Sequence, residues 1–235
     1  MKLRLSLLLA ALMAACTPKP EEVYPKASVV LISIDTLRAD HLSLYGYRDG
    51  RTPSIDKLGR DGIVFDDVVS HVPLTLPAHA SLFTGLLPPR HEVRDNIGFR
   101  LKESHLTLAQ RFKSAGFATG GAISAYVLRS QTGISAGFDV YDDALTIDAS
   151  NEASGSLQRD GRIAVESVLR FIESQGEARF FAFLHLYEPH SPWSPPAAYR
   201  DLKSPYDGDI AHADELVGRF LEGLALVAVK FSNHN

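Results

Sequence analysis

From Ser28 onward the chain alternates between short apolar runs and segments of helical periodicity, and that alternation leaves few folds open to it. Val29 to Ile34, a run of β-branched residues and Leu, is expected to be a strand covered on both faces. Thr52-Pro53 offers an N-cap followed by proline at the first helical position, with Ile55 and Leu58 on one side and Gly62 as a stop. Ile63 to Val69 reads as strand, and Thr107 with Gln110 makes a capping-box signature for a helix through Ala115, closed by Gly116. Phe117 to Ile123 reads as the next strand, and Gly137 to Gly155 as a polar surface excursion. The pattern then predicts a helix from Gln158 to about Ser174, with Ile163, Val165, Val168, Leu169 and Ile172 on its apolar side. Arg179 to Leu186 reads as the clearest central strand, and Asp207 to Leu224 as a last helix through Ile210, Leu216, Val217, Phe220 and Leu221. Together these predict an α/β fold with a mostly parallel central sheet flanked by helices.

The composition suits one such domain: 235 residues, 45% hydrophobic and 22% charged. A net charge of −4 argues against nucleic acid as a partner, because no excess of Lys and Arg is there to neutralise phosphates.

The first sixteen residues read as an export signal rather than as part of the fold. Lys2 and Arg4 form a positive n-region, Leu5 to Met13 an apolar stretch too short to span a bilayer comfortably, and Ala14 and Ala15 suit peptidase cleavage. Met13-Ala14-Ala15-Cys16 resembles the bacterial lipobox, and Cys16 is the only cysteine in the chain. We expect residues 1–16 to be a lipoprotein signal peptide, Cys16 to carry lipid, residues 17–27 to be a solvated tether, and residues 28–235 to be the globular domain. The expected location is the cell envelope of a diderm bacterium, periplasmic or outer-membrane, with the membrane as partner through the anchor. Thr17 in place of Asp after the cysteine favours the outer membrane, by resemblance to lipoprotein sorting rules.

Three clusters could carry chemistry. Asp35 closes the first strand, where a carboxylate held by an apolar strand can bind a divalent cation; an Asp that only caps a following turn has the same pattern. In Pro73-Leu74-Thr75-Leu76-Pro77-Ala78-His79, Pro77 is expected to begin a helix that Gly85 ends, which places Thr75 just ahead of exposed first-turn N–H groups. A hydroxyl nucleophile needs such an environment and a metal, because its own pKa keeps it protonated; a plain N-cap is the alternative. In His185-Leu186-Tyr187-Glu188-Pro189-His190, His190 lies beyond the strand end and is the better functional candidate, whereas His185 sits inside the strand pattern and reads as structural.

These clusters, in this order, resemble the sulfatase family of the alkaline phosphatase superfamily. The resemblance runs from Val29 to about Leu224 and takes in Thr52-Pro53-Ser54-Ile55-Asp56-Lys57-Leu58 and Pro205-Tyr206-Asp207-Gly208-Asp209-Ile210. It implies an alkaline-phosphatase-like fold and hydrolysis of sulfuric or phosphoric esters of small molecules, glycans or lipids. It also implies a divalent metal, whether Ca, Mg, Mn or Zn. By position, Asp35 is similar to the first metal-binding aspartate, Thr75 to the nucleophile and a metal contact, and His79 to the substrate-binding residue four places later. His190 is similar to the substrate-contacting histidine, with a share in catalysis.

Several positions depart from the family pattern. Thr75-Leu76-Pro77-Ala78-His79 stands where other members have Cys-x-Pro-Ser-Arg, so formylglycine cannot form by that route. Asp35-Thr36 replaces a pair of aspartates, and no Lys or His stands within Gly121-Ala122-Ile123-Ser124-Ala125. A threonine nucleophile resembles the phosphodiesterase and phosphoethanolamine-transferase branches, which keeps a phosphodiesterase or a phosphoryl-group transferase open as alternatives. The resemblance ends after Leu224, before a segment that would complete the metal site. The domain is therefore expected to be truncated at its C-terminus, and an inactive surface lipoprotein is the non-enzymatic alternative.

Overall fold

The computed structural model describes residues 27–145 and 158–232. The expected signal peptide, Cys16 and residues 17–26 of the tether lie outside the described residues, as does part of the Gly137–Gly155 excursion.

Four strands form one parallel sheet, β1 (Val29–Ile34), β2 (Ala118–Ala122), β3 (Val140–Asp142) and β4 (Phe180–Leu186), in the order β1-β4-β2-β3. The helices are α1 (Pro53–Asp61), α2 (Thr75–Thr84), α3 (Pro88–His91), α4 (Leu108–Ser114), α5 (Gly161–Gln175) and α6 (Pro205–Ser232). The α/β architecture with a parallel sheet is the one the alternation predicts.

Strand β4 organises the core because its period of two serves both faces of the sheet. Phe181 and Phe183 point into a cluster with Leu76, Ala80 and Phe83 of α2 and Ala109 of α4. Ala182, Leu184 and Leu186 point the other way, against Val165 and Val168 of α5 and Leu216 and Phe220 of α6. Every β4 residue is buried, and burying each Phe ring is worth about 1.5–3 kcal/mol relative to exposure. Gly120 in β2 permits the tight packing of α5: a Cβ there would stand 2.4 Å from the Phe171 ring.

β1 is covered on both faces as expected, Leu31 packing against one core cluster and Val30, Ile32 and Ile34 against the other, and it lies at the sheet edge, paired only with β4 among the described residues. Other expectations need correction. Ile63–Val69 forms no strand; Ile63 and Val69 are 85% and 79% exposed, since no described strand offers them a ladder. β3 arises inside the polar stretch read as irregular, where Gly120, Gly121 and Ala122 pair with Val140, Tyr141 and Asp142. Ile163 of α5 faces outward, and α6 continues eight residues beyond Leu224.

The helix termini follow their signals more closely. Thr107 and Gln110 form the full capping box at the start of α4. Pro53 occupies the first turn of α1, but the Thr52 hydroxyl does not cap it and donates to Asp56. The carboxylate of Asp214 in α6 takes over the cap, accepting from the N–H groups of Ser54 and Ile55 at 3.1 and 2.8 Å.

Candidate active site

The parallel register of β1 and β4 places Ser33 opposite His185 and Ile34 opposite Leu186. The odd-numbered side chains of both strands point toward α2, so the two polar residues that interrupt apolar strands lie on its side of the sheet. The ladder continues one bond further, with Asp35 N–H donating to the Leu186 carbonyl at 2.9 Å, which fixes the Asp35 backbone. Its carboxylate is 9% exposed and accepts a hydrogen bond from the Thr75 hydroxyl at 3.0 Å. The two residues singled out forty positions apart therefore meet.

Helix α2 begins two residues earlier than expected. Leu74 is its N-cap and contributes no side-chain cap, Thr75 is its first residue, and Pro77 is third, where a missing N–H leaves no intrahelical bond unmade. Thr75 is thus not an N-cap; its hydroxyl is committed to Asp35. The first turn offers fewer free donors than an open helix end, because the Leu76 N–H donates to Asn96 Oδ1 at 2.8 Å and Pro77 has none to give.

His79 is buried, one helical turn after Thr75. Its Nδ1–H donates to the Thr75 carbonyl at 2.7 Å and its Nε2 accepts from the Ser33 hydroxyl at 2.9 Å, so both ring nitrogens have a partner. Burial first, and then the neighbouring His185, push His79 down to about 4, which keeps the ring in this neutral form. His185 is fully buried, its ring centroid 5.1 Å from that of His79. Its Nε2 lies 3.6 Å from Asp35 Oδ2, which is electrostatic contact rather than a hydrogen bond, and neither ring nitrogen has a hydrogen-bond partner. Burial pushes the Asp35 carboxyl up, but His185, His79 and Thr75 beside it outweigh that and hold it below the usual aspartate value.

The backbone after Asp35 is strained. Thr36 is β-branched yet adopts φ +54°, a conformation that costs on the order of 1–3 kcal/mol. Tyr206 of α6 holds it there: its hydroxyl donates to the Thr36 carbonyl at 2.7 Å and accepts from the Arg38 N–H at 3.1 Å. Asp207, the next residue, accepts from His41 Nδ1 at 2.7 Å and from Ser204 at 2.6 Å, fastening the same loop to α6.

His190 stands on the loop after β4. Its ring stacks on Tyr187 with centroids 4.4 Å apart, and its Nδ1–H donates to the Ser191 carbonyl at 2.6 Å, leaving Nε2 outward. Burial first, and then the charge of Asp35, push the Tyr187 phenol up to about 12.

Asp35 and Thr75 present hard oxygen donors of the kind a divalent cation takes, with His185 behind them. They fit one side of such an ion's shell and do not fill it; among the described residues no group of three or more His, Cys, Asp or Glu side chains is placed to hold a metal. No local pattern marks Asn96, and Tyr206 stands out only within the Pro205–Ile210 stretch that resembles the family. Ser33 and His185 were legible only as polar breaks in apolar strands.

Comparison with known proteins gives this geometry its family. The family model described as Sulfatase matches residues 27–227. Human arylsulfatase D is 31% identical over 128 residues, covering 48% of this chain and 21% of that protein. Delta 4,5-hexuronate-2-O-sulfatase of Bacteroides thetaiotaomicron is 30% identical over 96 residues, covering 39% of this chain and 20% of the relative. Among solved structures, Ps i-CgsB in complex with k-i-k-neocarrahexaose superposes with a TM-score of 0.69 at 18% identity, over 86% of this chain and 56% of that one. The phosphonate monoester hydrolase of Agrobacterium radiobacter gives 0.68 at 19% identity, over 86% and 60%. The matches thus span about a fifth of the curated relatives and a little over half of the solved chains. These solved structures show the alkaline-phosphatase-like fold alone, and the family match, which covers most of the sequence, shows that the chain belongs to the sulfatase family.

Proposed function

We propose that this chain carries the nucleophile-bearing part of a metal-dependent hydrolase of sulfuric or phosphoric esters, with Thr75 as nucleophile. The observation that carries the reading is the 3.0 Å bond from the Thr75 hydroxyl to the buried Asp35 carboxylate at the end of a parallel strand. Asp35 and Thr75 would hold a divalent cation, which when bound lowers the pKa of a coordinated hydroxyl and neutralises charge on the transferred group.

The residues divide the remaining work. Asp35 is ionised at neutral pH and receives the Thr75 proton at Oδ2 as Thr75 Oγ1 attacks sulfur or phosphorus. That bond forms as the bond to the leaving oxygen breaks. His79 holds the Thr75 carbonyl and Asn96 the Leu76 N–H, so the nucleophile enters on a fixed helix start. His190 Nε2 is assigned to the transferred group or the leaving oxygen. A water then attacks the same sulfur or phosphorus and gives up a proton to the product or to solvent, the bond to Thr75 Oγ1 breaks, and Asp35 Oδ2 returns its proton to the Thr75 oxygen.

A hydroxyl nucleophile lacks the gem-diol through which formylglycine expels sulfate by re-forming a carbonyl. Its covalent ester must be displaced directly, a route that suits phosphate better than sulfate and keeps a phosphodiesterase or phosphoryl-group transferase in view. Side-by-side assays of the full chain with aryl phosphodiesters, aryl phosphomonoesters and aryl sulfates, with and without added alcohol, test this. We expect phosphate esters to turn over faster and divalent metal to be required. Turnover of all three classes by Thr75→Ala at the wild-type rate would remove Thr75 from the reaction. We further propose export and lipid anchoring through Cys16, supported by the composition of residues 1–16.

A further inference from the structure

Helix α6 joins the two ends of the sheet. Its first turn belongs to the site: the Tyr206 hydroxyl holds the Thr36 carbonyl beside Asp35, and the Tyr206 ring lies 5.5 Å from that of Trp193 on the loop after β4. Its last turns lie at the opposite end. There Lys230 pairs with Glu173 near the end of α5 at 2.5 Å, and a Cβ on Gly176, the C-cap of α5, would stand 3.9 Å from the Phe231 ring. β4 then starts at Phe180, whose N–H donates to the Ser28 hydroxyl at 3.1 Å. The end of α6 and the point where the chain enters the domain therefore meet at the amino ends of the strands. At 1.5 Å per residue, the twenty residues from Tyr206 to Leu226 put about 30 Å between this end and the site.

That far end carries apolar side chains in solvent. Leu226 and Val229, neighbours on one face of α6, are 72% and 54% exposed, and Val29 at the start of β1 is 36% exposed. The charges beside them are matched, Lys230 by Glu173 and Arg170 by Glu166, so the surface offers apolar area rather than a field of one sign. The other exposed apolar run, Ile63–Val69, belongs to a different face: Val68 and Val69 line a cavity with Ser33, His79 and Leu82, beside α2.

What covers the α6 patch follows from the chain that leads to it. Residues 17–26 separate Cys16 from Ala27, and fully extended this stretch reaches about 40 Å, no farther than the length of α6, about 42 Å. A lipid on Cys16 keeps the α6 end close to the bilayer, and the domain could turn its site onto the surface only with the tether stretched almost straight. An apolar patch too small to bind a membrane from solution suffices once a tether raises its effective concentration.

We propose that the α6 end, centred on Leu226 and Val229, rests on the lipid surface that anchors Cys16, and that the Asp35–Thr75 site opens away from that surface. Its substrates are then esters dissolved in the aqueous compartment, not headgroups of the anchoring bilayer. The placement rests on the anchor reading, and the substrate class rests also on the ester-hydrolase reading.

Trp193, the only tryptophan in the chain, marks the site end. For the test, the full chain is coupled through the thiol of Cys16, its only cysteine, to a maleimide phospholipid in phosphatidylethanolamine–phosphatidylglycerol vesicles, with or without brominated acyl chains. Side chains lying on a bilayer sink to the boundary between headgroups and acyl chains, where bromine quenches tryptophan. Leu226→Trp in a Trp193→Phe background should lose at least half its emission to bromine, and adding Val229→Glu should restore most of it. Trp193 of the wild type should lose less than a tenth. Position 226 is exposed, so the thermal midpoint should hold. An unquenched Leu226→Trp, a Trp193 quenched as strongly, or stronger quenching of Phe65→Trp in the same background overturns the proposal. Because the coupling is chemical, these outcomes do not depend on lipidation in the cell. Unlipidated Cys16 in wild-type membranes counts against the anchor reading, and failure to hydrolyse a soluble ester on the vesicles counts against the hydrolase reading.

Discussion

Thr75 Oγ1 and Asp35 Oδ2 lie 3.0 Å apart although their residues belong to different elements, a helix start and a strand end. Each is fixed from behind, Asp35 by the β1–β4 ladder and Thr75 by His79 and Asn96 around the first turn of α2. A hydroxyl and a carboxylate carried by separate regular elements have their backbones placed by the fold rather than by a loop.

If Thr75 attacks the ester, Thr75→Ala should lose on the order of three to five powers of ten in kcat, as loss of a nucleophile does. Thr75→Ser keeps the oxygen and should retain far more activity. Steady-state kinetics of both variants, with circular dichroism to show intact folding, make the comparison. Equal losses in the two would indicate that the threonine methyl group, and so packing, is what matters.

Tyr206→Phe should release Thr36 from its positive φ without removing any group that touches substrate. Loss of the bonds to the Thr36 carbonyl and Arg38 N–H is worth about 1–2 kcal/mol of stability. Because Asp35 precedes Thr36, we expect kcat to fall about tenfold with KM little changed. A stability loss with unaltered kcat would make Tyr206 a structural residue only.

The fold and much of the site were legible wherever a local signal coincided with a tertiary need. The apolar run of β4, the Thr107–Gln110 capping box and Gly85 closing α2 each specify their own element, and each is found. Asp35, Thr75 and His190 stand out at strand and helix ends, but their own neighbourhoods also allow a turn cap or an N-cap, and it is the resemblance to the sulfatase family that singles them out as site candidates. What was not legible depends on partners distant in sequence. The edge position of β1, the unpaired Ile63–Val69 run and the pairing of β3 depend on which strands lie alongside. Asn96, Tyr206 and the Asp214 cap reach their partners over 20 to 170 residues, and nothing in their own neighbourhood announces it.

Asp207 should make the fold acid-sensitive. Burial pushes its carboxyl up, but the bonds from Ser204 and His41 prevail and hold it below the ordinary 3.8. In the window between the folded and unfolded values the unfolded chain binds the extra proton, so stability rises with pH there. The contribution is complete above about pH 5 and is lost as pH falls through 3.8 toward the lower folded value. Asp207→Asn should therefore lower the thermal midpoint at neutral pH and flatten its fall in acid. Parallel acid profiles for wild type and variant would assign the effect elsewhere.

Wild-type protein expressed in a diderm bacterium should begin at Cys16, carry lipid and partition with membranes. Cys16→Ser should leave uncleaved precursor or release soluble protein. N-terminal mass analysis of the membrane fraction decides it, and unprocessed wild-type protein in the cytosol would remove the anchor from the account.

The most direct measurement is the mass of the covalent intermediate. The full chain, mixed with an aryl phosphodiester and divalent metal and quenched rapidly in acid, should carry one added phosphoryl ester group, and peptide fragmentation should place it on Thr75. An intermediate on another residue, or turnover with none on Thr75 at any quench time, would contradict the assignment of Thr75 as the nucleophile.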